Sequence, residues 1–188
     1  MPIEINDIST IQEVLNGNQN AFKSLYNKYS KLYLLTCLRY VKNRSDAEDL
    51  LQDSCVKIFK DLKQFDPSKG TFLNWSKRVV INTCLQKLRK NNVLNDFDKI
   101  FELNTSLATK SEAIDNLNLQ DLTKVIQTLP KGYRTVFNMY VVDGFSHKEI
   151  ANLLSISEST SKTQLMKAKR LLKTHISNPE FFLISSYA

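Results

Sequence analysis

Apolar residues recur along this chain at intervals of three and four, and only four glycines and four prolines interrupt the pattern in 188 residues. That period puts one apolar stripe on each successive helix and leaves no credible sheet, so the expected fold class is all-α. Ile8, Ile11, Val14 and Leu15 predict a short helix that stops at Gly17. Phe22, Leu25, Tyr26, Tyr29, Leu32 and Tyr33 predict the core face of a longer one from Ala21 to Lys42. Ser45-Asp46-Ala47-Glu48 reads as a capping box, with the serine accepting from the third backbone NH and the glutamate reaching back, so a helix is expected to begin there and run to about Leu62. Proline and glycine make Phe65-Asp66-Pro67-Ser68-Lys69-Gly70 a loop, and Thr71 to Lys90 follows as another long helix.

Between Asn91 and Thr109 the period fades while Asn, Asp, Ser and Thr accumulate, the pattern of a linker. The expected organisation is two small helical domains joined by that linker: residues 1–90, a linker over 91–110, a second domain over 111–176 and a tail over 177–188. The tail carries an apolar stretch, Phe181-Phe182-Leu183-Ile184, expected to pack back on the second domain or to meet a partner. In the second domain a helix from Glu112 to Leu129 ends before Pro130, and another from Tyr133 to Val142 ends near Gly144. A further capping box, Ser146-His147-Lys148-Glu149, then opens a short helix with Ile150, Ala151, Leu153 and Leu154 on its apolar face. It breaks at Ser155-Ile156-Ser157 and a new helix starts at once, which is a helix-turn-helix in order and in length.

Charge sharpens this picture. The chain has 26 Lys and Arg against 19 Asp and Glu, a formal net charge of +7, which favours anionic partners without choosing among them. From Ser159 to His175 the last helix carries Lys162, Lys167, Lys169, Arg170 and Lys173 and no acid, as a helix lying between walls of phosphate requires. Thr160, Thr163, Gln164 and Lys167 are expected on its exposed face, with Leu165, Ala168, Leu171 and Leu172 inward. Ser159, Thr160, Lys162, Thr163 and Gln164 are the candidates for base edges, and the later cations for phosphates. A helix-turn-helix by itself gives DNA binding and no mechanism, because repressors and activators use it as readily.

Other chemistries find no support. Cys37, Cys55 and Cys84 are far apart with no CxxC pair, and His147 and His175 are the only histidines, so no disulfide framework, metal site or cofactor is expected. No nucleophile, base and orienting group can be assembled, so no catalytic residue and no enzyme activity are expected. Met1 to Asn20 carries acids and amides where a signal peptide needs basic and then apolar residues. No stretch approaches the roughly 20 apolar residues of a membrane span. The expectation is a cytoplasmic protein without membrane insertion.

Two stretches in the first domain remain. Asp49, Gln52 and Asp53, at i, i+3 and i+4 within Asp46-Ala47-Glu48-Asp49-Leu50-Leu51-Gln52-Asp53, share one helical face and form an acidic, hydrogen-bonding patch on a basic protein. Thr71 to Lys90 carries Lys77, Arg78, Lys87, Arg89 and Lys90 and no acid. Phe65, Phe72 and Trp75 beside it could stack on unpaired bases, an interaction of about 1–3 kcal/mol per base.

These stretches, with Leu129-Pro130 and the Ile150 to Arg170 hairpin downstream, resemble the extracytoplasmic-function group of bacterial RNA polymerase sigma factors from about Ala21 to Lys173. The resemblance implies that Asp49, Gln52 and Asp53 dock on the coiled coil of the largest subunit of core RNA polymerase, Asp53 standing where glutamate is usual. It implies that the helix after the loop melts the −10 element of promoter DNA, with Asn82 contacting a base and Lys77 and Arg78 contacting phosphate or base. Phe65 to Gly70, with Phe65 and Lys69, would shape the pocket for a flipped base beside Trp75. The helix-turn-helix would read the −35 element through Ser159, Thr160, Lys162, Thr163 and Gln164, with Lys167 and Arg170 on the backbone. Gln164 stands where arginine is common, and glutamine prefers adenine where arginine prefers guanine. An anti-sigma factor is a further partner that the resemblance admits. The competing reading is an autonomous helix-turn-helix regulator that binds duplex DNA without polymerase.

Overall fold

Every regular element in residues 4–90 and 119–176, the residues described by this computed structural model, is helical. The expected linker over 91–110, the start of the expected second domain over 111–118 and the tail over 177–188 lie outside the described residues. The chain divides into two units, Met1–Lys87 and Leu88–Ala188.

The first unit contains α1 (Glu4–Leu15), α2 (Gln19–Tyr40), α3 (Arg44–Asp61) and all but the last three residues of α4 (Phe72–Lys90). Gly17, at φ +89°, turns the chain after α1, and the Asn18 side chain accepts from the Asn20 and Ala21 amides to start α2. Ala21, Leu25, Tyr29, Tyr33, Cys37 and Tyr40 form the buried stripe of α2. Tyr26 and Leu32 are exposed, contrary to the expected core face. The i+4 steps of that stripe leave room for one line of large side chains, and Tyr26 lies a further 100° round the helix from Leu25. Burial of each large apolar side chain along the stripe is favourable by about 1.5–3 kcal/mol.

The start of α3 also differs from expectation. Asn43 caps it by accepting from the Ser45 amide at 2.8 Å, so Ser45 lies inside the first turn and Glu48 pairs with Arg44 at 2.8 Å instead of closing a capping box. Asparagine is as good an N-cap as serine and stands two residues earlier. Polar links then fix α4 against its neighbours. The buried Tyr33 hydroxyl donates to Ser76 Oγ at 2.6 Å, which donates to the Phe72 carbonyl at 2.7 Å. Burial raises the Tyr33 pKa well above the usual tyrosine value. Lys57 of α3 donates to Gln86 Oε1 of α4 at 2.8 Å. Cys37 and Cys84 are buried free thiols with their sulfurs 3.9 Å apart, and burial, with Cys37 nearby, pushes the half-buried Cys55 up to about 11.

The second unit contains α5 (Leu119–Thr128), α6 (Lys131–Phe137) continued by a π-helical turn (Asn138–Val142), α7 (His147–Leu154) and α8 (Glu158–Ile176). Val125, Leu129, Tyr133, Ala168 and Leu172 form its core cluster, with Phe137 and Leu171 packed against it. Arg134 is only 2% exposed, and its Nη1 donates to the Gln127 carbonyl at 3.1 Å, satisfying the end of α5 across the Pro130 break. Loss of water around the guanidinium lowers its pKa. The Ser146 and Glu149 capping box is formed as the sequence indicates. Helix α7 ends at Ser155, whose φ of +55° makes it a non-glycine residue in the left-handed region.

A left-handed backbone costs an L-residue about 1–2 kcal/mol, part of which glycine gives back as entropy of the unfolded chain. Ser155→Gly is therefore expected to stabilise the second unit by about 0.5–1 kcal/mol. Urea unfolding of the full chain measures it, and an unchanged or lower midpoint would contradict the strain assigned to this turn.

Candidate nucleic-acid interface

Three polar surfaces stand out, and each exists because the opposite side of its helix is buried. On α3, Ala47, Leu50, Leu51, Ser54 and Ile58 face the core, which turns Asp49, Gln52 and Asp53 to solvent. The neighbouring acids are used within the chain: Glu48 pairs with Arg44, and Asp46 lies 3.7 Å from Lys87 of α4. Among the described residues the side chains of Asp49, Gln52 and Asp53 have no hydrogen-bond or ion-pair partner. Val56 and Phe59 are exposed further along the same helix.

The segment before α4 is held by its own side chains. Asp66 accepts from the Ser68 amide at 3.0 Å and the Ser68 hydroxyl at 2.7 Å and pairs with Lys69 at 3.3 Å, which shapes the 3-10 turn Pro67–Lys69. The Ser68 bonds, with Lys69, hold the Asp66 carboxyl below the usual carboxylate range. Thr71 Oγ1 then accepts from the Asn74 amide at 3.2 Å at the start of α4. Phe65, Phe72 and Trp75 form one cluster with centroids 5.6 to 5.8 Å apart. Phe72 is its buried member and also meets Tyr29, so it is core, while Phe65 and Trp75 are half-buried and keep an accessible edge. Beyond them Asn74, Arg78, Asn82 and Gln86 lie exposed at four-residue steps, with Lys77 half-buried beside them. Lys69, Arg78 and Asn82 are thus on the surface next to the aromatic cluster's helix.

In the helix-turn-helix, Ser157 caps α8. Its Oγ accepts from the Thr160 amide at 2.9 Å and is bonded to the hydroxyls of Ser159 and Thr160 at 2.7 and 2.8 Å. Helix α8 begins at Glu158, directly after the Ser155-Ile156-Ser157 break as expected, so one acid sits in its first turn ahead of the acid-free stretch, where it complements the helix dipole. Ser159, Lys162, Thr163 and Arg170 are exposed, and Thr160 and Lys167 are half-buried at the margins. Gln164 requires a correction: it is 6% exposed and falls on the inward stripe of Ser161, Leu165, Ala168 and Leu172, away from the expected DNA side. The residue sequence reasoning missed is Met166, 63% exposed on the same outward stripe as Lys162, Thr163, Lys169 and Arg170. Its spacing from those residues was the available signal.

His147 ties this unit together. Its ring stacks on Tyr140 of the π-helical turn at 4.4 Å, and its Nδ1 is bonded to the buried Ser161 hydroxyl of α8 at 2.8 Å. Desolvation and then Lys162 lower its pKa, against Glu158, which raises it.

Two helical units that each present a basic helix have the charge pattern of a nucleic-acid-binding protein, and no group of His, Cys, Asp or Glu that could hold a metal ion lies among the described residues. Residues 25–93 match the family model for sigma-70 region 2, and residues 119–172 match that for sigma-70 region 4. The chain belongs to the sigma-70 family of RNA polymerase sigma factors, as a member of its extracytoplasmic-function group. It is similar to the ECF RNA polymerase sigma factor SigW of Bacillus subtilis, 27% identical over 88% of this chain and 94% of that protein. It is also similar to the ECF RNA polymerase sigma-E factor of Haemophilus influenzae, 21% identical over 94% of this chain and 98% of that protein. The fold is shared with the sigma factor RpoE of Bartonella quintana, solved in complex with the anti-sigma factor NepR, at a TM-score of 0.50 and 22% identity over 81% of this chain and 94% of that one. No helix among the described residues is long and apolar enough to cross a membrane.

The lowered His147 pKa has a consequence for stability. The unfolded histidine takes its proton near pH 6.5, before the folded one does, so the fold loses stability as the pH falls below about 6.5. Denaturant midpoints at pH 7.5 and pH 5.5 are expected to differ more for the unaltered chain than for His147→Gln, and an equal difference in both would remove His147 as the cause.

Proposed function

We propose that this chain lends core RNA polymerase promoter specificity by binding alone, with no catalytic group of its own. The observation that carries the reading is the pattern on α3: the chain's cations take Asp46 and Glu48, while the side chains of Asp49, Gln52 and Asp53 face solvent without a partner among the described residues. A basic partner surface fits that patch, and the proposed one is the coiled coil of the largest polymerase subunit.

In this reading residues 1–90 form the domain that docks and opens the −10 element. Asn82 is its base-reading side chain, since an amide can donate to and accept from one base edge. Lys77 and Arg78 hold phosphate or base, and the accessible edges of Phe65 and Trp75, with Lys69, border the place of an unstacked base. Residues 91–110 are the linker and 111–176 the reader of the −35 element, through Ser159, Thr160, Lys162 and Thr163, with Lys167 and Arg170 on phosphates. Joining the two readers in one chain keeps the second at high effective concentration once the first is bound. The proposed site of action is the cytoplasm. An anti-sigma partner would act by covering these faces.

In vitro transcription with core bacterial polymerase on a pool of promoter fragments is expected to give new start sites sharing two motifs at fixed spacing. Asp49→Arg combined with Gln52→Ala should abolish both those transcripts and co-purification with polymerase while leaving the fold intact by circular dichroism. Normal co-purification would reject the docking assignment. If no transcript appears and the chain alone shifts duplex DNA at moderate salt, the autonomous regulator is the better reading. Asn82→Ala should relax base preference within the −10 element, and an unchanged preference in a randomised −10 library would refute its role.

A further inference from the structure

Exposed apolar side chains scattered singly are ordinary on protein surfaces, so the 63% exposure of Met166 says nothing by itself. Its position does. Residues three and four apart are neighbours on a helix, so Lys162 and Thr163 on one side and Lys169 and Arg170 on the other flank Met166 at the middle of the outward stripe of α8. All four flanking side chains are exposed. The opposite stripe, Ser161, Gln164, Leu165, Ala168 and Leu172, is buried, which fixes this face outward.

Whatever meets that face must be anionic at its edges and apolar at its centre. A second copy of α8 is excluded by like charge, since this stripe presents Lys162, Lys169, Arg170 and Lys173. The major groove of duplex DNA has the required form. It is about 12 Å wide between phosphate walls, and the C5 methyl of thymine is the apolar group on its floor. The cations beside Met166 have the reach for the walls, and the unbranched thioether has the flexibility to follow a methyl group on the floor.

We propose that Met166 is a specificity-determining residue that reads the C5 methyl of a thymine in the upstream promoter element, selecting thymine over cytosine at one position. The assignment rests on the reading of α8 as the helix that enters the major groove. It takes the central place that Gln164, being buried, does not fill.

The test removes the methyl from the DNA. Duplexes are selected from a random pool by the full-length chain, alone and bound to core polymerase, each thymine of the preferred sequence is replaced singly by deoxyuridine, and affinities are measured for the unaltered chain, Met166→Ala and Met166→Leu. One position is expected at which uracil weakens the unaltered chain and Met166→Leu by about fourfold, the worth of one buried methyl, while Met166→Ala is insensitive there. Equal uracil penalties in the unaltered chain and Met166→Ala at every position would overturn the proposal, as would a pool that yields no preferred duplex with or without polymerase. Because the readout is binding, it separates from the sigma reading: methyl coupling without polymerase-dependent transcription keeps the Met166 assignment and removes the sigma mechanism, and transcription without methyl coupling does the reverse.

Discussion

The rotation of each helix about its own axis is the constraint on which both proposed DNA readers depend. Burial of Leu165, Ala168 and Leu172 leaves α8 a single orientation, and the same burial that hides Gln164 exposes Lys162, Thr163, Met166 and Arg170. Each buried leucine contributes about 1.5–3 kcal/mol, so turning the helix by even one residue would expose several such groups at once. The polar link from His147 to Ser161 adds direction to that apolar contact, because a hydrogen bond is lost by a rotation that an apolar surface could tolerate. Helix α4 is fixed in the same manner, with Val80, Ile81, Cys84 and Leu85 inward and the Tyr33 hydroxyl holding Ser76.

Polar groups near each surface divide into those that the fold consumes and those that it leaves available. Asp46 and Glu48 on α3 are taken by Lys87 and Arg44, and Asp66 is taken by Ser68 and Lys69 to shape a turn. Ser157 is taken by the start of α8. Exposed pairs of this kind add little to stability because water and salt screen them, so their main effect is to set local geometry. What remains outward, the Asp49, Gln52 and Asp53 patch and the cation stripes of α4 and α8, has opposite sign in different places. That separation of charge suits the proposed pairing of a basic protein surface with one face and DNA with the others.

The aromatic cluster shows how packing and a reading surface can share side chains. Phe72 is committed to the core beside Tyr29, whereas Phe65 and Trp75 lean on it and stay half-buried. A half-buried ring held by its neighbours has little rotamer freedom left to lose, which favours stacking on its accessible part.

The sequence by itself determined the helical class, the two motif-bearing segments, the Ser146 and Glu149 capping box and the turn at Ser155, because these follow from period, capping chemistry and charge over a few consecutive residues. Its family resemblance rested on the same short stretches. It misplaced the start of α3, where Asn43 and Ser45 both had the right chemistry and only the formed helix chose between them. It set Tyr26 and Leu32 inside and Gln164 outside, and it passed over Met166. A periodic pattern states which positions can share a face, but several neighbouring rows can qualify. Which row is buried depends on the width of the surface that the other helices offer, and that surface exists only once residues distant in the chain have packed together.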